Sequence, residues 1–171
     1  MANKVGSDTL KGNNCLFLVM ISPETNTESV NVFLIGNNPI ELSNIYDKLK
    51  NIRTKKYRAE IGFDVKGIYK KIMAFKPSCI LIDDNMERSY ANSLMRRLSK
   101  NKNTRDIAIT VLKNKNEDSY MTDAEDYVLK TEATEERLAR SITNSIRFKK
   151  MRVKLRNTYR KNKRQVIGWI N

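Results

Sequence analysis

The stretch Lys76-Pro77-Ser78-Cys79-Ile80-Leu81-Ile82-Asp83-Asp84-Asn85-Met86 decides the fold. Pro77 ends the helical pattern before it, because proline lacks an N–H and its ring disfavours the α conformation in the preceding residue. Cys79-Ile80-Leu81-Ile82 is then a continuous apolar run with no polar alternation. A strand of that kind is covered on both faces, as in the middle of a parallel sheet. The run stops abruptly on Asp83-Asp84-Asn85, so the carboxyl end of the strand opens on a polar edge.

Upstream, Val65, Ile68, Ile72 and Phe75 recur at helical spacing behind Asp64, an N-cap residue type. Before that helix, Tyr57, Ala59, Ile61 and Phe63 alternate as a half-buried strand. A Lys/Arg-rich connection separates it from an earlier helix carrying Ile45, Leu49 and Ile52. Asn38 caps that helix and Pro39 suits its first turn. The first strand runs through Val30, Val32 and Phe33-Leu34-Ile35 and ends at Gly36-Asn37. Downstream, residues 86–100 contain a helix with Leu94, Met95 and Leu98 facing in, and residues 107–112 form a fourth strand. A short polar helix is expected within 117–125, and Tyr127-Val128-Leu129 is a brief fifth strand. Glu132 or Thr134 begins a last helix with Leu138, Ile142 and Ile146 on one face. Strands and helices that alternate at this spacing make a parallel sheet with right-handed crossovers and helices on both faces.

The 171 residues suit one domain with extensions, and 40% hydrophobic against 30% charged residues is a globular composition. Histidine is absent, which removes Ser-His-Asp and Cys-His catalysis and His-ligated zinc. Cys15 and Cys79 are far apart, and Cys79, inside an apolar run, reads as a buried thiol. No Gly-rich phosphate loop occurs, so a non-enzymatic role is expected. No stretch approaches the ~20 apolar residues of a membrane span. Residues 1–29 read as a partly disordered leader whose apolar patch, Cys15 to Ile21, lacks a cleavage pattern. A cytoplasmic location is expected.

In an open parallel sheet, ligands bind beyond the carboxyl ends of the strands. The residues there are Gly36 and Asn37, Asp83, Lys113 and Lys130. With Pro77 to Asp83 followed by Met86, with Asp126-Tyr127-Val128-Leu129-Lys130, and with this element order, residues 30–147 resemble the receiver domains of two-component response regulators. The resemblance implies a flavodoxin-like, doubly wound α/β fold with five parallel strands in the order 2-1-3-4-5. It implies that Asp83 is the phosphoacceptor, that Lys130 pairs with the phosphoryl oxygens and that Tyr127 is the switch aromatic. It implies a histidine kinase or another signalling protein as partner. The bland alternative is that Asp83 is only a helix cap or loop carboxylate.

The chain departs from the family's pattern at three places. The acidic pair that holds Mg2+ in receivers is replaced by Gly36 and Asn37. The Ser or Thr after the fourth strand is Lys113, and the Pro after the fifth-strand Lys is Thr131. Asp83 against Lys113 and Lys130 leaves a pocket of net charge +1. Mg2+ is held mainly by carboxylates and phosphate, so Asp83 and Asn37 alone would bind it weakly. Without that metal, phosphoryl transfer loses its charge neutralisation. The expectation is a pocket in which Lys113 pairs with Asp83 and phosphorylation is poor or absent.

The net charge is +14, and ten basic residues with no acid fall between Arg147 and Arg164. They are Arg147, Lys149, Lys150, Arg152, Lys154, Arg156, Arg160, Lys161, Lys163 and Arg164. The last helix is expected to continue into this basic tail, residues 148–171. Phe148, Met151, Val153 and Leu155 give no single heptad stripe. A solvated helix that docks an acidic partner, phosphate contacts with nucleic acid and attraction to anionic lipid all remain open, with Tyr159 and Trp169 available for stacking. Residues 148–171 have no room for a helix-turn-helix output domain.

Overall fold

Asn38 and Pro39 start the first helix as their chemistry demands. In the computed structural model of the chain, which describes residues 29–63, 67–115 and 124–168 with side chains through 163, the Asn38 Oδ1 accepts from the backbone N–H groups of Ile40 and Glu41, at 3.1 and 3.3 Å. This cap sets α1 (Pro39–Asn51) directly after β1 (Val30–Ile35). The remaining elements are β2 (Tyr57–Gly62), α2 (Ile68–Phe75), β3 (Cys79–Asp83), α3 (Arg88–Lys100), β4 (Ala108–Lys113), β5 (Asp126–Leu129) and α4 (Glu135–Gly168). All strand pairs are parallel, and the sheet order is 2-1-3-4-5. This is the flavodoxin-like, doubly wound arrangement.

Side chains of a strand point alternately to the two faces of its sheet. Val32, Leu34, Leu81, Leu112 and Val128 pack with Leu42, Ile45 and Leu49 of α1 and with Leu138 and Ile142 of α4. Phe33, Ile35, Ile80, Ile82 and Val111 pack with Ile68 and Ile72 of α2 and with Leu94, Met95 and Leu98 of α3. All five residues of β3 are buried, as its uninterrupted apolar run requires.

Several local details differ from the pattern read in the sequence. β2 ends at Gly62, and Phe63 is 47% exposed rather than the next inward residue. Gly62 is needed there, because a Cβ would lie 2.8 Å from the Phe33 ring. β4 starts at Ala108, one residue later than expected. Lys130–Glu132 forms a single 3-10 turn, and Thr134 then caps α4, its Oγ1 accepting from the Arg137 N–H at 3.2 Å. The leader, the Asp64 cap with Val65, most of the expected helix at 117–125, and Trp169 lie outside the described residues.

α4 passes through position 147 without a break. One of its faces is fastened to the body by a ladder of polar contacts. Ser141 Oγ donates to Asp126 at 2.5 Å, and the hydroxyls of Ser145 and Thr110 meet at 2.7 Å. Lys149 and Arg152 both reach Glu125 at 2.9 Å, and Arg156 reaches Asp106 at 2.6 Å. Steps of three and four keep these residues on one side of the helix. One face of the first half of the basic segment is therefore bound to the body, and its other faces are exposed.

Candidate functional site

The carboxyl ends of β1, β3 and β5 bring Gly36, Asp83 and Lys130 together. Gly36 is buried, and a Cβ on it would stand 2.7 Å from the Asp83 Cβ. Its lack of a side chain is what lets Asp83 sit where it does. Asp83 is fully buried. Its Oδ1 accepts from the Lys130 ammonium at 2.6 Å and from the Asn85 N–H at 2.9 Å. Its Oδ2 is buried with no hydrogen-bond partner among the described residues.

Lys130 also donates to Glu41, at 2.5 Å. Glu41 stands in the first turn of α1, placed by the Asn38 cap. One ammonium thus bridges two carboxylates. Burial is the largest single influence on Lys130 and lowers its pKa, but hydrogen bonds and charge from Asp83 and Glu41 together outweigh it and hold the ammonium above its ordinary value of 10.5. Glu41, Asp83, Lys130 and Asn114 share the wall of a cleft of about 310 Å3 with Leu42 and Ile45.

Asp84, next to the buried acid, accepts from the Asn114 N–H at 3.1 Å. Burial pushes its carboxyl above the usual range, against the lowering effects of that hydrogen bond and of Lys130. The Asn114 amide also meets the Asn85 side chain, so the loops after β3 and β4 are tied together.

Lys113 alternates with Ile109 and Val111, on the α2–α3 side of the sheet. Its ammonium stands 5.5 Å from the centre of the Tyr127 ring. The Lys130 ammonium reaches Asp83, and Glu41 is the further residue of the cluster. Asp83, Glu41 and Lys130 together carry a net charge of −1, and counting Lys113 as well brings the sum to zero. Asn37 is solvent-exposed at the mouth of β1.

These residues do not fit a magnesium ion. Octahedral Mg2+ calls for oxygen donors converging at about 2.1 Å. Position 36 has no side chain, Asn37 offers one neutral amide oxygen, and the carboxylates of the cleft, Asp83 and Glu41, both hold the Lys130 ammonium. Among the described residues, no group of three or more acidic, Cys or His side chains could hold a metal.

The sequence matches no protein-family model, and no curated protein matches it. Solved structures do. The receiver domain of a sensor histidine kinase from Pseudomonas aeruginosa, solved with magnesium coordinated in its active-site cleft, is similar over 69% of this chain and 98% of its own, at 19% identity and a TM-score of 0.59. A putative response regulator from Chloroflexus aurantiacus is similar over 70% of this chain and 98% of its own, at 14% identity and a TM-score of 0.60. A response regulator from Desulfuromonas acetoxidans is similar over the same shares, at 15% identity and a TM-score of 0.57. The chain has the receiver-domain fold. Within the receiver fold, Asp83 lies at the end of the central strand and Lys130 at the end of β5, as the sequence resemblance implied.

The basic residues of α4 divide into two sets. Lys149, Arg152 and Arg156 are paired with body carboxylates. Arg147, Lys150, Lys154, Arg160, Lys161 and Lys163 are exposed. Arg164 lies on the helix, with its side chain outside the described residues. No helix among the described residues is long and apolar enough to cross a membrane.

Proposed function

We propose that the protein is a receiver-like signalling module of a two-component phosphorelay, atypical in that Asp83 accepts a phosphoryl group poorly or not at all, and that it acts by contact with a histidine kinase or another signalling protein. The observation that carries this reading is the buried Asp83–Lys130 pair at the carboxyl end of β3, in a cleft whose two carboxylates, Asp83 and Glu41, both hold the Lys130 ammonium. Lys130 supplies the positive charge beside the phosphoacceptor position, and Glu41 anchors it. The partner-facing surface is formed by β4, β5 and α4. Incubation with acetyl phosphate and Mg2+, followed by intact mass, tests the proposal. A negligible phosphorylated fraction is expected, and rapid stoichiometric modification of Asp83 would refute it.

A second reading is binding of nucleic acid through α4. It is favoured by the exposed set Arg147, Lys150, Lys154, Arg160, Lys161 and Lys163. Each phosphate neutralised on duplex DNA would add about 0.9 to the slope of log affinity against log salt. A shallow slope, or one unchanged when these six residues are made neutral, excludes this reading.

A further inference from the structure

The end of the sheet opposite the Asp83 cleft carries a second, differently charged cavity. Its volume is about 140 Å3, and it lies between α3, the segment leading into β4 and the middle of α4. Its polar lining is Arg105, Lys149, Arg152 and Arg156 with Ser99 and Thr104, and apolar side chains of α3, β4 and α4 make up the rest.

Two carboxylates answer these four cations. Glu125, whose side chain is 1% exposed, receives Lys149 and Arg152 on Oε1, each at 2.9 Å. Its Oε2 accepts from the Ile109 N–H at 2.7 Å, so both of its oxygens are occupied. Asp106 Oδ1 receives Arg156 at 2.6 Å and lies 3.8 Å from the Arg105 Nε. The cluster therefore keeps an excess of two positive charges.

The excess coincides with unmet hydrogen bonding. The Nε atoms of Arg105 and of Arg156 are buried and have no hydrogen-bond partner among the described residues. Buried donors in native proteins are almost always satisfied, and an orphan calls for a ligand, an ion or water. Guanidinium forks match phosphate oxygens in geometry as well as charge. The cavity is also smaller than the roughly 300–1,000 Å3 of pockets for drug-sized ligands. A volume of that size suits a tetrahedral oxyanion.

We infer that this cavity binds a phosphate dianion, with Arg105 and Arg156 as its principal donors and Lys149 and Arg152 supplying field. The phosphate is either free or the end of a monoester. Because the lining residues come from α3, the β4 approach and α4, a bound phosphate ties the last helix to the body. This inference is independent of the chemistry at Asp83.

The test is thermal unfolding of the full chain in sodium phosphate, in O-phosphoserine and in sodium chloride at matched ionic strength. Phosphate at a hundredfold excess over its dissociation constant should raise Tm saturably, by about 5 °C or more. A response to orthophosphate identifies the free ion as sufficient, whereas a response to phosphoserine alone assigns the site to esters, and either supports the proposal. Arg105→Gln and Arg156→Gln should weaken binding at least tenfold, while Lys150→Gln, exposed on the same helix, should bind as the parent does. Should Arg156→Gln fail to fold, Arg105→Gln and the phosphorus NMR linewidth of the parent still decide. Equal shifts in chloride and phosphate, an unsaturable response, or parental binding by Arg105→Gln would overturn the site.

Discussion

The Lys130 ammonium lies 2.6 Å from the fully buried carboxylate of Asp83. Removing one member of a buried ion pair strands the other charge, which costs about 3–5 kcal/mol. Lys130→Met is therefore expected to lower the unfolding free energy by about that much, measured by urea denaturation at neutral pH. Asp83→Asn with Lys130→Met should recover a large part of the loss. A Lys130→Met protein as stable as the parent would show that Asp83 is not held by this contact.

The same pair makes a prediction for alkaline solution. The folded-state pKa of Lys130 is raised above 10.5. A raised amine contributes stability that is fully present below its unfolded pKa and is lost as pH rises through the folded value. The stability difference between the parent and Lys130→Met should be constant up to about pH 10 and then shrink. Urea midpoints of both proteins from pH 8 to 11 give that difference directly.

Gly36→Ala places a Cβ 2.7 Å from the Asp83 Cβ and 3.2 Å from Leu42 Cδ1. Backbone shifts of that kind in a packed site cost about 1–3 kcal/mol. The loss should appear as a lower urea midpoint, and restoring an acid at position 36 should meet the same obstruction.

Lys76 ends α2 in the left-handed region, at φ 51°, with its N–H donating to the Ile72 carbonyl. A side-chain Cβ costs about 1–2 kcal/mol in that conformation and glycine avoids most of it. Lys76→Gly is expected to stabilise the protein modestly, raising Tm by a few degrees; an unchanged or lower Tm contradicts the cap geometry.

Cys79 is fully buried, its sulfur 3.8 Å from the Thr110 hydroxyl, and burial pushes its thiol pKa up to about 12. The thiolate that reacts is therefore scarce at neutral pH. Iodoacetamide at pH 8, followed by peptide mass mapping, should leave Cys79 unmodified until urea is added. Rapid labelling of the native protein contradicts this burial.

The sheet and its order were legible because β3 is an uninterrupted apolar run between Pro77 and Asp83, and because Asn38-Pro39 marks a helix start that the hydrogen bonds reproduce. Asp83 and Lys130 followed from their places just after two strands. Glu41 did not, because a first-turn acid three residues after Asn38 reads as a capping-box glutamate, whereas its actual partner is 89 residues away. The two-residue period of β4 places Lys113 with Val111, near the Tyr127 ring. The role of the tail was hidden by its charge. Counting basic residues cannot separate Lys149 and Arg156, which meet Glu125 and Asp106, from Lys150 and Lys154, which face solvent. That separation needs the helix register against the body.

The most direct measurement is a Mg2+ titration of the protein followed by backbone amide NMR, with the Asn85 N–H as reporter because it donates to Asp83 Oδ1 at 2.9 Å. With Lys130 as the cation that serves Asp83, the Asn85 resonance should show no saturable, magnesium-specific displacement beyond the effect of matched ionic strength. A saturating displacement of Asn85 would mean that a divalent ion does bind beside Asp83, and would contradict the account.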